Sequence, residues 1–172
     1  LPDEGTMPVP PVSPSLVRRL PYTPRPALVP IVLIAGVCNV LVVHPSVPAG
    51  TAEEFIAHLK RNPGTMNYGS TGIGTAAHLT GALFCLRTGT TAQHVPYRGA
   101  EAVNDLITGR IQFMFATAPS IVGQIRAGKV RALAVTGDER SRAFPELPTL
   151  KEKGLASFDS GSWFGFFGPR GT

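Results

Sequence analysis

A glycine-rich turn between residues 67 and 79 has the residue types of an anion-binding site. It reads Asn67-Tyr-Gly-Ser-Thr-Gly-Ile-Gly-Thr-Ala-Ala-His-Leu79, and it stands between a strand-like run and an apolar helical pattern. Glycine lets a ligand oxygen approach the backbone closely, and the first N–H groups of a helix have no partner inside it. The turn therefore predicts main-chain binding of an anion. The predicted contacts are Ser70, Thr71, Gly72, Ile73, Gly74 and Thr75.

Two enzyme interpretations of the same turn are weaker. The run Gly72–Ala77 fits the loose dinucleotide fingerprint, but that motif needs an acid at the end of the next strand. Here that strand, Gln93-His-Val-Pro-Tyr97, has none. A nucleophile elbow needs glycine two residues before Ser70, where the chain has Tyr68. A nucleotide-binding oxidoreductase stays as the alternative, an ordinary threonine-capped turn stays open, and no catalytic residue is predicted.

Two further helix starts repeat the pattern of strand, small polar residues and helix. The first is Val95-Pro-Tyr-Arg-Gly-Ala100, and the second is Phe115-Ala-Thr-Ala-Pro-Ser120. Tyr97 could stack on a ligand or hydrogen-bond to it. Three helix N-termini at one sheet edge would form a polar, largely uncharged bowl for a carboxylate or a small polar solute. The additional predicted contacts are Tyr97, Gly99, Ala100 and Thr117.

Strands and helices alternate along the chain. The predicted strands are 30–35, 39–43, 66–69, 93–95, 111–115, 131–135 and 162–167. The predicted helices are 52–61, 75–87, 100–108, 119–127 and 148–153, with one helical turn at 15–20 inside a proline-rich start. This alternation predicts an α/β fold with a mostly parallel sheet. Such sheets bind ligands beyond the carboxyl ends of their strands.

Composition excludes several other classes of function. The net charge of +5 comes from dispersed basic residues, which argues against a nucleic-acid partner. The apolar run 27–43 is short and is interrupted by Pro30, Gly36 and Asn39, so we predict two buried strands and no membrane insertion. No signal peptide is expected in this chain.

The cysteines and histidines suggest no metal or redox chemistry. Cys38 and Cys85 lie in apolar runs and are predicted to be buried and unpaired. The four histidines have no metal-like spacing, and His78, in the first turn of its helix, is expected to be neutral because the helix dipole disfavours a cation there. No metal site and no cofactor are predicted.

An ordered set of motifs resembles the Bug-type receptors, which are the periplasmic substrate-binding proteins of tripartite tricarboxylate transporters. The resemblance covers nearly the whole chain. The motifs are Asn39-Val-Leu-Val-Val43, Pro45-Ser-Val-Pro48, Asn67-Tyr-Gly-Ser70, Gly72-Ile-Gly-Thr75, His78-Leu79, His94-Val-Pro-Tyr97 with Gly99, Ala127-Gly-Lys129, Arg131-Ala-Leu-Ala-Val135, Leu147-Pro-Thr149 with Gly154, Ser162-Trp-Phe-Gly165 and Gly168-Pro169.

The resemblance implies a periplasmic binding protein of type II, the two-domain Venus-flytrap fold, represented here mainly by its second domain. Residues 1–43 would be a remnant of the first domain with one crossover strand, 44–160 the second ligand-binding domain, and 161–172 the returning strand. The implied function is capture of a small carboxylate or related solute and delivery to a membrane permease, without catalysis and in the periplasm.

Departures from the family pattern leave one further alternative open. The family's signal peptide and its first-domain glycine-rich loop do not occur in this sequence, so a non-functional fragment with exposed apolar strands is the third interpretation. Ala116 stands where the family often has an aspartate that could hold an amino group. Its absence argues against an amino-acid ligand.

Overall fold

The computed structural model describes residues 28–155, 158 and 160–169. The predicted helical turn at 15–20 lies outside these residues. The strands are β1 Leu28–Val43, β2 Asn67–Ser70, β3 Gln93–Pro96, β4 Phe113–Thr117, β5 Arg131–Val135 and β6 Gly161–Pro169. The helices are α1 Ala52–Arg61, α2 Ala76–Thr88, α3 Glu101–Ile107 and α4 Ala118–Arg126.

The main sheet has the strand order β3-β2-β4-β1-β5. Strand β2 pairs in parallel with both β3 and β4, whereas β1 runs antiparallel to β4 and β5. Four of the five strands therefore point in one direction, and the predicted α/β fold is confirmed. The first half of β1 leaves the sheet and pairs with β6, from Leu28 opposite Pro169 to Cys38 opposite Gly161. We call this two-stranded segment the ribbon.

Helices cover both faces of the sheet, because side chains alternate along β1. Leu41 and Val43 pack with Phe55 of α1 and Phe84 of α2 in one apolar cluster. Val40 and Val42 face the opposite side, in a second cluster with residues of α3 and α4 such as Leu106 and Ile121. A strand buried on both faces reads as a continuous apolar run. The apolar run 40–43 is therefore the centre of the fold.

Two helix ends show local signals that the sequence carries. The Thr51 hydroxyl accepts the amide proton of Glu54 at 3.2 Å, while the Glu54 carboxylate accepts from the Gly50 amide at 2.7 Å. This is close to the predicted capping box, and α1 has its predicted bounds. At the end of α2, Gly89 takes the left-handed conformation that glycine favours at this position.

Within the apolar run, residues Leu28–Val43 form one strand, not two. The carbonyls and amides of β6 pair with β1 through the predicted break at Gly36. The prediction that this run is buried is wrong for its first half, since Ile31 and Leu33 are each 67% exposed. The two cysteines are unpaired but only half-buried.

The predicted helix 148–153 is a turn beside β5. The Val135 amide donates to the Pro148 carbonyl, and the Leu150 amide donates to the Val135 carbonyl, both at 2.9 Å. The main chain at 148–150 therefore extends the sheet and cannot begin a helix there. The Leu150 carbonyl instead accepts from the amides of Lys153 and Leu155, which closes the turn.

We predict that Gly81→Ala destabilises the fold by about 1–3 kcal/mol, as expected for an overpacked core. A Cβ at Gly81 would overlap the Tyr68 ring, which is only 3% exposed and cannot move aside easily. The free energy of unfolding in urea measures the effect.

Gly123→Ala on α4 is the matched control, because nothing lies within 4 Å of its added Cβ. It should be neutral or stabilising by up to about 1 kcal/mol, since alanine is the better helix former. Equal effects of the two substitutions would contradict the close packing of α2 on β2.

Candidate functional site

A cavity of about 880 Å³ opens where the parallel strands β2, β3 and β4 end. The starts of α2, α3 and α4 form one side of it, and residues 160–164 at the base of the ribbon form another. Six predicted contacts line the cavity, namely Thr71, Gly74, Thr75, Gly99, Ala100 and Thr117. The structure therefore brings the three predicted helix starts together around one space.

No charged side chain lines this cavity among the residues that the structure describes. Its polar lining comes from uncharged groups, including Asn39, Asn104, Ser120 and Gln124. Its apolar lining includes Leu79, Val103, Met114, Trp163 and Phe164. The helix N-termini, which carry partial positive charge, are therefore the groups of this lining that would attract an anion.

The start of α2 supplies main-chain donors to the cavity. Thr75 caps the helix: its hydroxyl donates to the Gly72 carbonyl at 2.7 Å and accepts from the His78 amide at 3.4 Å. The amides of Ala76 and Ala77 belong to the first helical turn and have no partner inside the helix. Both residues line the cavity. These two amides are placed to bind an anionic oxygen.

The donors earlier in the glycine-rich turn are used internally. The Gly72 amide donates to the Ser70 hydroxyl at 3.2 Å, and the Gly74 amide donates to Nδ1 of His78 at 3.0 Å. Ser70 is fully buried, and Ile73 is 63% exposed. Ser70, Gly72 and Ile73 do not line the cavity. They shape the turn. The donors without a partner inside the helix are the amides of Ala76 and Ala77, in the first turn of α2.

Tyr97 is also outside the cavity lining. Its hydroxyl donates to the carboxylate of Asp105 at 2.9 Å. Burial, followed by the hydrogen bond to Asp105, raises the pKa of Tyr97 to about 12. The phenol is thus neutral, and its hydroxyl proton is already donated to Asp105. This bond links the end of β3 to α3.

Asn39 is the main cavity residue that sequence reasoning missed as a contact. It is 1% exposed. Its side-chain amide donates to the Thr80 hydroxyl at 3.4 Å, and its main chain exchanges bonds with Thr136 at 3.0 and 2.9 Å. The hydroxyls of Thr80 and Ser160 are also in contact. This network joins β1, α2 and the base of the ribbon.

On α4, the polar lining follows helical spacing. Ser120 donates to the Thr117 carbonyl at 2.8 Å, and Gln124 lies one turn later on the same side. Both line the cavity. The spacing of four residues after a strand end is the sequence signal that could have identified them.

Other functional features were sought in the described part of the chain. There, no group of three or more His, Cys, Asp or Glu side chains is placed to hold a metal ion. Among the described helices, none has the length and apolar character needed to cross a membrane.

The fold is that of the periplasmic binding protein class. The chain matches the profile of the "Tripartite tricarboxylate transporter family receptor" over residues 3–172. It belongs to that family, as the sequence resemblance predicted.

Curated relatives agree with this assignment. The chain is 36% identical to "Protein BugT" of Bordetella pertussis over 159 residues, which are 92% of this chain and 49% of the relative. It is 39% identical over 156 residues to the "UPF0065 protein in tcbD-tcbE intergenic region" of Pseudomonas sp. strain P51, covering 90% and 46% of the two chains. The chain thus spans about half the length of these relatives.

Solved structures show the same fold. "R. palustris Rpa4515 with adipate" has a TM-score of 0.86 and 34% identity, over 91% of this chain and 53% of that one. "Structure of periplasmic binding protein BugD" has a TM-score of 0.86 and 33% identity, over 94% and 54%. "MatC (Rpa3494) from Rhodopseudomonas palustris with bound malate" has a TM-score of 0.84 and 27% identity, over 94% and 55%.

We predict that Thr75→Ala lowers the free energy of unfolding by about 0.5–2 kcal/mol, the usual cost of removing a threonine N-cap. Both bonds of the Thr75 hydroxyl would be lost. Thr75→Ser keeps the hydroxyl and should recover most of the stability. Urea unfolding of both variants measures this, and an equal loss in the two would show that the cap contributes little.

Proposed function

We propose that this chain is the ligand-binding part of a solute receptor that captures a small carboxylate and releases it unchanged to a membrane transporter. The observation that carries the proposal is the convergence of three helix starts on one cavity whose described lining has no charged side chain. The ligand would be held by the amides of Ala76 and Ala77 and by nearby hydroxyls such as that of Thr71.

The electrostatics favour an anion that can leave again. Each helix N-terminus acts as roughly half a positive charge, and the effect is strongest within the first turn. Helices α2 and α4 pack on opposite faces of the sheet, and the starts of both line the cavity. A carboxylate would therefore be stabilised without a salt bridge to arginine or lysine. Such binding suits a receptor that must also give up its ligand.

The relatives support this ligand class and its cellular setting. Two similar solved proteins are described with adipate and with malate, and another is described as a periplasmic binding protein. The family description adds a tripartite transporter. By extension, we propose a periplasmic location for this protein and a permease of that transporter type as its partner.

We further propose the division into residues 1–43, 44–160 and 161–172, with the middle segment as the ligand-binding unit. The cavity lies at the junction of the sheet with the ribbon. On the ribbon, Ile31, Leu33 and Phe166 are 63–67% exposed. This apolar surface is what a second domain would cover, and the chain spans only about half of its relatives.

The oxidoreductase alternative finds no support in the geometry. Strand β3 ends at Pro96, and the next acid, Glu101, is in the first turn of α3, not at the strand end. The Gly74 amide, which a bound phosphate would need, is bonded to His78. The family, moreover, is one of receptors.

An NMR titration of the 172-residue chain with adipate and malate tests the proposal. This method detects weak binding, which matters because domain closure normally encloses such ligands. We expect amide shifts at Ala76, Ala77 and Ala100, and none with adipamide, the uncharged analogue. A non-functional fragment would give no saturable shifts at about 20 mM acid, or shifts far from the cavity.

We predict that Ala100→Asp weakens carboxylate binding about tenfold or more, whereas the isosteric Ala100→Asn does not. Ala100 is the exposed N-cap residue of α3, and it lines the cavity. An aspartate there suits the helix dipole, so the fold should tolerate it, but its charge would repel an anionic ligand. Titration of both variants gives the ratio of dissociation constants, and equal affinities would place the ligand elsewhere.

A further inference from the structure

Two histidines stack beneath the glycine-rich turn. The rings of His78, on α2, and His94, on β3, have centroids 4.0 Å apart and planes within 17°. On the β2 side of His94, the ring of Tyr68 lies 4.9 Å away. The stack thus links three elements next to the glycine-rich turn, of which Thr71, Gly74 and Thr75 line the cavity.

Each ring makes a hydrogen bond to the turn. Nδ1 of His78 accepts the Gly74 amide proton at 3.0 Å, so this nitrogen carries no proton and the neutral ring has its proton on Nε2. Nε2 of His94 bonds to the Ser70 hydroxyl at 2.7 Å. That hydroxyl in turn contacts the Gly72 carbonyl at 3.0 Å and the Gly72 amide at 3.2 Å. The two histidines therefore fix Gly72 and Gly74 of the turn.

We propose that His78 and His94 are positioning residues that hold the glycine-rich turn in its ligand-binding shape only while both rings are uncharged, so that acid loosens the turn and releases the ligand. The release step rests on the proposed function, whereas the positioning of the turn does not.

Charging His78 breaks its bond to the turn for a geometric reason. A proton on Nδ1 of His78 would point at the Gly74 amide, and two donors would then face each other. With both rings protonated, two positive charges would lie about 4 Å apart, which is strongly unfavourable in a partly buried site. Neutral rings avoid both conflicts.

The surrounding groups offer no charge to compensate. Strand β2 faces the stack with Tyr68, whose pKa is raised by burial to about 12, so the phenol is neutral. Beyond Tyr68 lies Cys85 of α2, whose pKa is also raised by burial. No carboxylate among the described residues contributes to the pKa of either histidine. Protonation would therefore be unpaired.

The direction of the pH response follows from these surroundings. Burial lowers the pKa of His78 below its usual value of 6.5. Burial, and then the neighbouring His78 ring, lower the pKa of His94 to about 4. Because the unfolded chain binds these protons more readily, the stabilising contribution is complete above about pH 6.5 and is lost as the pH falls toward the folded pKa values.

The first test follows the ligand-free protein by NMR between about pH 7.5 and 4.5. We expect the Gly74 amide and the His78 imidazole to titrate with the same midpoint. His78→Asn places an amide oxygen near the position of Nδ1, and His94→Gln places an amide group near Nε2, so both can keep the bonds without titrating. In His78→Asn the Gly74 shift should become independent of pH. His58→Gln on α1 is the control and should leave the coupling intact.

The proposal would be overturned if the Gly74 amide shift and the His78 imidazole had different titration midpoints in the unmodified protein. It would also be overturned if the Gly74 shift changed with pH to the same extent in His78→Asn. This readout needs no ligand, so it separates the positioning role from the proposed function.

The second test measures adipate binding at the two ends of that range, about pH 7.5 and 4.5. We expect at least a tenfold larger loss of affinity in acid for the unmodified chain than for the double variant, which controls for protonation of adipate itself. An equal loss in both would overturn the release step, and no binding at either pH would count against the proposed function alone.

Discussion

Parallel pairing of β2 with β3 and β4 determines where the cavity forms. The three strands end at the same edge, and each is followed within five residues by a helix. The unpaired amides of three helix starts are thereby brought together without any charged side chain. Strand β1 runs in the opposite direction and also reaches this edge, because its residue Asn39 pairs with Thr117 at the end of β4. The residue at which β1 joins the main sheet thus meets the residue that precedes α4.

The main-chain amides between Gly72 and Ala77 fall into two groups: some hold the glycine-rich turn in shape, and the others have no partner in the turn or the helix. The amides of Gly72 and Gly74 are held by Ser70 and His78, so they fix the turn and do not face the cavity as free donors. The donors without a partner inside the helix are those of the first turn of α2. A site whose donors are already in place loses less conformational entropy when it binds. If the proposed function holds, the buried serine and the two histidines contribute to affinity in this way without contacting a ligand.

Predictions from sequence succeeded where the signal was local. Thr51 and Glu54 defined the start of α1, and the strand-to-helix transitions at residues 70–75 and 117 identified lining residues. Predictions failed where a distant partner decided the structure. The pairing with β6 made 28–43 one strand, bonds to Val135 prevented a helix at 148–153, and Asp105 occupied the hydroxyl of Tyr97. Asn39 was missed as a contact because its partners, Thr80 and Thr136, follow it by 41 and 97 residues.

The Asn39 network also connects the two parts of the molecule that a ligand would touch. Thr136 accepts the Asn39 amide proton and donates its hydroxyl proton to the Ser160 carbonyl, so the point where β1 leaves the sheet and the point where β6 begins are held together. Trp163 and Phe164 follow directly and line the cavity opposite the helix starts. A ligand that contacts both Thr75 and Trp163 therefore bridges the sheet and the ribbon. Because Asn39 and Thr136 are buried, loss of these bonds would leave polar groups unsatisfied, and the ribbon keeps its direction relative to the cavity.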